Sequence, residues 1–163
     1  MTSPSANSAP LVGERAPDLN GRTQHGETVT LDDLLTGQEE SRLLLVFYPW
    51  AFSGICTGEL GALRAGHAEL AEAGVRVVAV SCDAMFTLRA FAEAEDLPFE
   101  LLSDHWPHGR IARAYGVFDE EAGCALRGSF LLDRSGTITW RVLHGIGEAR
   151  DIVEHVRTAV HTA

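Results

Sequence analysis

The sequence predicts an α/β fold: a central mixed β-sheet flanked by helices. Two short, unbroken apolar runs, residues 43–48 and 75–81, have the composition of strands buried on both faces. A helical pattern over residues 54–73 lies between them and makes a strand–helix–strand unit. Residues 129–132 and 137–143 flank Asp133-Arg134-Ser135-Gly136, a hairpin turn that adds antiparallel strands to the parallel pair.

Each element follows from local chemistry. Residues 1–10 are rich in Ser, Ala and Pro without a basic start or apolar run, so they are expected to be a disordered tail rather than a signal peptide. Residues 11–163 then form one domain. A turn-rich entry occupies 13–18, and 28–31 reads as a short strand. The run 43–48 stops at Pro49, which has no N–H to give a sheet ladder. Helix 54–73 sets Leu60, Leu63, His67, Leu70 and Ala71 along one face and ends at Gly74. Beyond strand 75–81, residues 87–95 read as a short helix capped by Thr87 or Asp83. Residues 99–102 read as a strand, 111–115 as a helical turn and 148–160 as an amphipathic closing helix.

Composition narrows the function. The 163 residues suffice for a full core without disulfide or metal staples. Thirteen basic residues against 23 acidic ones give a net charge of −10, which disfavours attraction to nucleic acid or an anionic membrane. No apolar stretch reaches the roughly 18 residues of a membrane-spanning helix. Three cysteines, Cys56, Cys82 and Cys124, are too few for a secreted disulfide scaffold and point to a reducing compartment, the cytoplasm.

The chemistry concentrates at Pro49-Trp50-Ala51-Phe52-Ser53-Gly54-Ile55-Cys56. Ser53 stands at the N-cap of helix 54–73, and Cys56 is the third helical residue, among unpaired N–H groups at the positive end of the dipole. A thiolate is favoured there, whereas a free cysteine titrates near pH ~8.5. A right-handed crossover brings the C-terminal ends of strands 43–48 and 75–81 to one sheet edge, where open α/β sheets place their sites. An antiparallel strand at 129–132 begins at that edge and carries Arg127 toward Cys56 across 71 residues of chain. Taken singly, Cys56 reads as a core cysteine, Arg127 as a turn arginine and Ser53 as a cap contributing about 1 kcal/mol.

Pro49-x-x-x-Ser53-x-x-Cys56, with Val46-Phe47-Tyr48 before it and Thr57-Gly58-Glu59-Leu60 after it, resembles the peroxiredoxin active-site motif. Arg127-Gly128-Ser129-Phe130-Leu131-Leu132-Asp133 followed by Gly136 resembles the second signature of that family, which carries its arginine. Ser103-Asp104-x-Trp106-Pro107-His108-Gly109 and Ala114-Tyr115-Gly116-Val117-Phe118 look most like the one-cysteine alkyl hydroperoxide reductase E type of actinobacteria. The resemblance implies a thioredoxin-like fold and thiol-dependent reduction of hydrogen peroxide, organic hydroperoxides or peroxynitrite. Cys56 is then the nucleophile that becomes a sulfenic acid, Ser53 hydrogen-bonds the peroxide, Pro49 shields the pocket, and Arg127 holds the thiolate. It also implies an external thiol reductant, of the mycothiol/mycoredoxin or thioredoxin type, and a homodimer paired near the active-site loop.

Several residues keep two readings. Glu59 either orients Arg127 or Arg150 or is a solvated helix residue. Trp50 and Phe52 pack the loop or line the mouth of the site. Cys82 and Cys124 are core thiols or resolving cysteines of a two-cysteine mechanism, and a disulfide needs Cα atoms within roughly 7 Å. His105-Trp106-Pro107-His108 has an H-x-x-H spacing but no Cys/His partner pair, so no metal is expected. Gly145-x-Gly147 is too short for a phosphate loop, and no cofactor is expected. A Cys-dependent hydrolase needs a histidine beside Cys56, and a thioredoxin-type reductase needs Cys-x-x-Cys where position 59 is Glu. A redox-sensing or chaperone-like protein is the non-enzymatic alternative.

Overall fold

The computed structural model describes residues 9–36 and 42–162. In chain order these form β1 (Asn20–Thr23), β2 (Thr28–Thr30), α1 (Leu31–Leu35), β3 (Arg42–Phe47), α2 (Gly54–Glu72), β4 (Val75–Ser81) and α3 (Met85–Ala94). There follow β5 (Glu100–Ser103), α4 (Arg110–Ala114), β6 (Phe118–Asp119), β7 (Cys124–Ala125), β8 (Arg127–Leu132), β9 (Ile138–His144) and α5 (Ile152–His161). The expected tail lies, for residues 1–8, outside the described residues; the carbonyl oxygens of Ala9 and Pro10 accept from Arg141 Nη1.

Seven strands make one mixed sheet in the order β2-β1-β5-β4-β3-β8-β9, and β6 and β7 pair apart from it. Strands β3, β4 and β5 run parallel, while β8 lies antiparallel to β3 and β9 antiparallel to β8. Alternation along β3 explains its unbroken apolar run. Leu43, Leu45 and Phe47 pack on one face with Leu31 and Leu34 of α1 and Ile111 of α4. Leu44, Val46 and Tyr48 pack on the other with Leu60 and Leu63 of α2, Phe91 of α3 and Val156 of α5. Both faces of the strand are therefore covered, which removes the polar alternation of a half-exposed strand. Gly66 of α2 admits α5 closely, since a Cβ there would come within 2.6 Å of Val156 Cγ2.

The structure corrects the expected elements in several places. The closing helix starts at Ile152 rather than 148, because Asp151 is the N-cap and accepts from Glu154 N–H. Helix α3 starts at Met85, capped by neither Thr87 nor Asp83: its N-cap is Ala84, with no side-chain bond. Leu31 leaves strand β2 for α1, whose start is a capping box between Thr30 and Asp33. Ala71 is exposed rather than on the buried face of α2. Cys124 lies in β7, paired across from Asp119.

Candidate active site

Pro49 is buried and ends β3, and the chain then turns through Trp50-Ala51-Phe52-Ser53 before α2 begins. Two contacts shape this turn. Ala51 N–H donates to Asp83 Oδ2 at 2.9 Å, which ties the turn to the end of β4. Phe52 adopts φ +68°, a left-handed conformation that is strained for a residue with a side chain, and its ring packs on Phe91 at 5.0 Å. Asp83, expected as a cap, thus serves as the anchor of the turn.

Ser53 occupies the N-cap position but caps nothing; its hydroxyl donates back to Trp50 O at 2.9 Å. The proton of Oγ is committed to the turn, and its lone pairs take no backbone N–H. The first N–H groups of α2 therefore lack a side-chain cap, and Cys56 lies among them. Cys56 is fully buried.

Arg127 opens β8. The register that sets Val46 opposite Ser129 continues two residues to put Arg127 beside the end of β3, at the edge where Cys56 lies. Arg127 Nη1 donates to Cys56 Sγ at 3.3 Å and to Glu59 Oε1 at 2.6 Å, and Nε donates to Ile146 O at 2.7 Å. Glu59, one helical turn after Cys56, pairs with both candidate arginines. Its Oε2 accepts from Arg150 N at 2.8 Å and Nε at 2.9 Å, and its Oε1 accepts from Arg150 Nη2 at 2.9 Å. Burial alone would raise the Glu59 pKa; the hydrogen bonds and charge of Arg150, with the charge of Arg127, outweigh it and hold the carboxyl below its usual range. Two guanidiniums and one carboxylate leave one positive charge beside the sulfur.

The network extends beyond the residues that the motifs mark. Arg150 Nη1 donates to Gly128 O and to Ser129 Oγ, each at 3.0 Å, and Ser129 Oγ lies 2.8 Å from His155 Nε2. His155 had a readable signal, a histidine on the apolar face of α5 between Ile152 and Val156. Nothing in the sequence tied it to Arg150.

The other thiols are free and buried. Cys82 Sγ lies 4.0 Å from Asp104 Oδ2, and Cys124 sits opposite Asp119. Burial first and the facing carboxylate second push each thiol up to about 12. Trp50 and Phe52 are exposed at the mouth of the turn. His108 Nε2 bonds Gly123 O at 2.7 Å and its ring meets that of His105, so the H-x-x-H pair is a loop contact. Among the described residues no group of three His, Cys, Asp or Glu side chains is arranged to hold a metal ion. None of the described helices is long and apolar enough to cross a membrane.

Residues 12–141 match the AhpC/TSA family. Alkyl hydroperoxide reductase E of Mycobacterium tuberculosis is 43% identical over 140 residues, covering 86% of this chain and 90% of its own. The chloroplastic 2-Cys peroxiredoxin BAS1 of Spinacia oleracea is 31% identical over 163 residues, covering 94% of this chain and 60% of its own. The crystal structure of Enterococcus faecalis AhpC superposes with a TM-score of 0.82 at 29% identity, covering 91% of this chain and 90% of that one. The family match and a relative similar over most of both chains agree with the mixed sheet. This chain belongs to the AhpC/TSA family: it is a peroxiredoxin of thioredoxin-like fold, a thiol-dependent peroxidase.

Proposed function

We propose that Cys56 is the peroxidatic cysteine and that the enzyme works by a one-cysteine mechanism with an external thiol. The observation that carries this reading is the 3.3 Å contact of Arg127 Nη1 with Cys56 Sγ inside a buried cluster one positive charge in excess. The thiolate attacks the distal oxygen of the hydroperoxide. An S–O bond forms, the O–O bond breaks, the sulfur loses two electrons, and the leaving alkoxide takes a proton to become the alcohol. Arg127 and the uncapped N–H groups of α2 offer donors to the oxygens as charge moves onto them. Ser53 acts as an acceptor for the O–H of the peroxide, because its own proton is engaged with Trp50 O. Pro49 closes the pocket to water, and Glu59 orients Arg127.

The sulfenic acid is then reduced from outside. At pH 7 a thiol titrating near 12 is ionised in only about one molecule in 10⁵, so Cys82 and Cys124 are poor attackers in this conformation. A first external thiol, of the mycothiol/mycoredoxin or thioredoxin type, forms a mixed disulfide and releases water. A second frees Cys56. Three unpaired thiols suit a cytoplasmic setting.

The dimer reading rests on exposed aromatics. Trp50 and Phe52 follow β3, Phe86 follows β4 and Trp106 follows β5, so these side chains, 43 to 83% exposed, gather at the C-terminal edge of three parallel strands. A second copy covers them. Phe86→Asp is expected to give monomers by sedimentation equilibrium.

The direct test is stopped-flow tryptophan fluorescence with hydrogen peroxide, followed by mass spectrometry. The expected result is a rapid transient absent in Cys56→Ser, with one oxygen added at Cys56 and no intramolecular disulfide. An unchanged transient in Cys56→Ser defeats the assignment, and a Cys56–Cys124 or Cys56–Cys82 bridge defeats the one-cysteine mechanism.

A further inference from the structure

His155 lies on α5, on the far side of Arg150 from the sulfur, and is 2% exposed. Its two ring nitrogens have different partners, and these fix its tautomer. Nδ1 is 2.8 Å from Asp151 O, a carbonyl that can only accept, so Nδ1 carries the proton. Nε2 in the neutral ring is then an acceptor and takes the hydroxyl proton of Ser129 at 2.8 Å. With that proton turned toward the histidine, the lone pairs of Ser129 Oγ face Arg150 Nη1 at 3.0 Å. Arg150 Nη1 also donates to Gly128 O, Nε and Nη2 close on the two oxygens of Glu59, and Glu59 Oε1 receives Arg127. Every link from the ring to the sulfur contact has one direction of donation.

We propose that His155 is a positioning residue of the peroxidatic centre, which fixes Ser129 and Arg150 and, through Glu59, holds Arg127 against Cys56. The inference rests on Cys56 being the reactive thiol. A protonated ring donates from both nitrogens; Ser129 Oγ then accepts from His155 and from Arg150 with its two lone pairs, and its own proton loses the acceptor that now fixes it. The surroundings keep the ring neutral: burial first and Arg150 second push its pKa down to about 4, with His144 acting the same way. The Asp151 carbonyl and the Glu59 carboxylate pull in the other direction. The ring edge is held by Trp140 of β9, at 4.8 Å and perpendicular.

The test compares the full-length parent with His155→Leu, His155→Gln and Ser129→Ala. Two readouts are taken between pH 5 and 8: the rate constant for hydrogen peroxide, and alkylation of Cys56 by iodoacetamide, followed on the Cys56 peptide. The second needs no peroxide, so an inert parent would sink the peroxidase assignment without deciding the role of His155. His155→Leu and Ser129→Ala are each expected to slow the peroxide reaction about tenfold and to shift the alkylation profile. The double variant is expected to be no worse than either single one, because both break the same link. His155→Gln, whose carbonyl can accept from Ser129, is expected to restore most of the rate. Parental rate and profile in folded His155→Leu overturn the proposal, as does equal impairment of the Leu and Gln variants. Should His155→Leu fail to fold, parental kinetics in Ser129→Ala overturn it.

Discussion

Cys56 and the pair Cys82 and Cys124 are buried alike, yet their neighbourhoods carry opposite charge. Cys56 faces Arg127, backed by Arg150, with Glu59 shared between the two cations. Cys82 and Cys124 face Asp104 and Asp119, and their thiols are held protonated at about 12. Removal from water penalises a thiolate in both regions. The sign of the nearest fixed charges is what distinguishes the two regions.

The largest expected effect breaks the comparison outright if it fails. Cys56→Ser is expected to lower peroxide consumption by on the order of 10³-fold or more, with Cys82→Ser and Cys124→Ser within about twofold of the parent. Steady-state turnover with an external dithiol checks it. A dead Cys124→Ser enzyme would mean that burial beside a carboxylate does not disable a thiol here.

Glu59→Leu tests the cationic side. It strands two buried guanidiniums and is expected to cost about 3–5 kcal/mol of stability, read from urea denaturation. The pH dependence has a definite sign. The Glu59 pKa is lowered in the folded state, so its contribution is present above the unfolded value near ~4.3 and is lost as pH falls through the folded one. His155 adds to the same acid limb: its pKa is depressed to about 4, so stability falls as pH drops from ~6.5 toward that value. Its slope is at most about 1.4 kcal/mol per pH unit, and His155→Gln is expected to flatten that part of the curve.

Arg127→Gln is expected to leave the fold intact, because Arg150 still makes three bonds to Glu59, but to slow Cys56 oxidation about 10²- to 10³-fold. Competition against a second peroxidase measures it. A rate within a factor of three of the parent would remove Arg127 from the chemistry and leave the helix start as the sole activating feature.

Much of the first region was legible because its signals are local or carried by an unbroken strand pattern. The apolar run ending at Pro49 marks the end of β3, and spacing alone sets Cys56 three residues into α2. The approach of Arg127 needed only one crossover and one antiparallel strand. What stayed hidden depends on rotamers and on polar contacts between distant elements. The hydroxyl of Ser53 turns toward Trp50 O instead of capping α2, because Phe52 takes a left-handed conformation that no glycine announces. Asp83 looked like a helix cap because it precedes one, and its real partner is Ala51 N–H across the sheet edge. Strand β1, with Asn20 and Arg22 among its four residues, has no apolar alternation; pairing to β2 and β5 defines it. The bond from Ser129 to His155 joins β8 to α5, and neither stretch signals the other.

The smallest expected effect sharpens the comparison from the anionic side. Asp104 accepts from Ile111 N–H and Ala112 N–H, each at 2.9 Å, and so caps α4 from within the core. Burial raises its pKa despite those two bonds. A raised folded value means that its contribution is fully present below the unfolded pKa near ~3.9 and is lost as pH rises through the folded one, opposite to Glu59. Asp104→Asn deletes that titration. The lost charge-assisted bond, about 1.5–3 kcal/mol, opposes the relief of a buried negative charge, so neutral-pH stability is expected to fall by less than about 3 kcal/mol. Reactivity is the finer readout. Asp104 stands behind desolvation as the second cause of the Cys82 shift, so its neutralisation is expected to speed alkylation of Cys82 by less than about tenfold and to leave Cys56 unchanged. A Cys82 rate that does not move would assign its inertness to burial alone, and the contrast between the two regions would then lie entirely with Arg127.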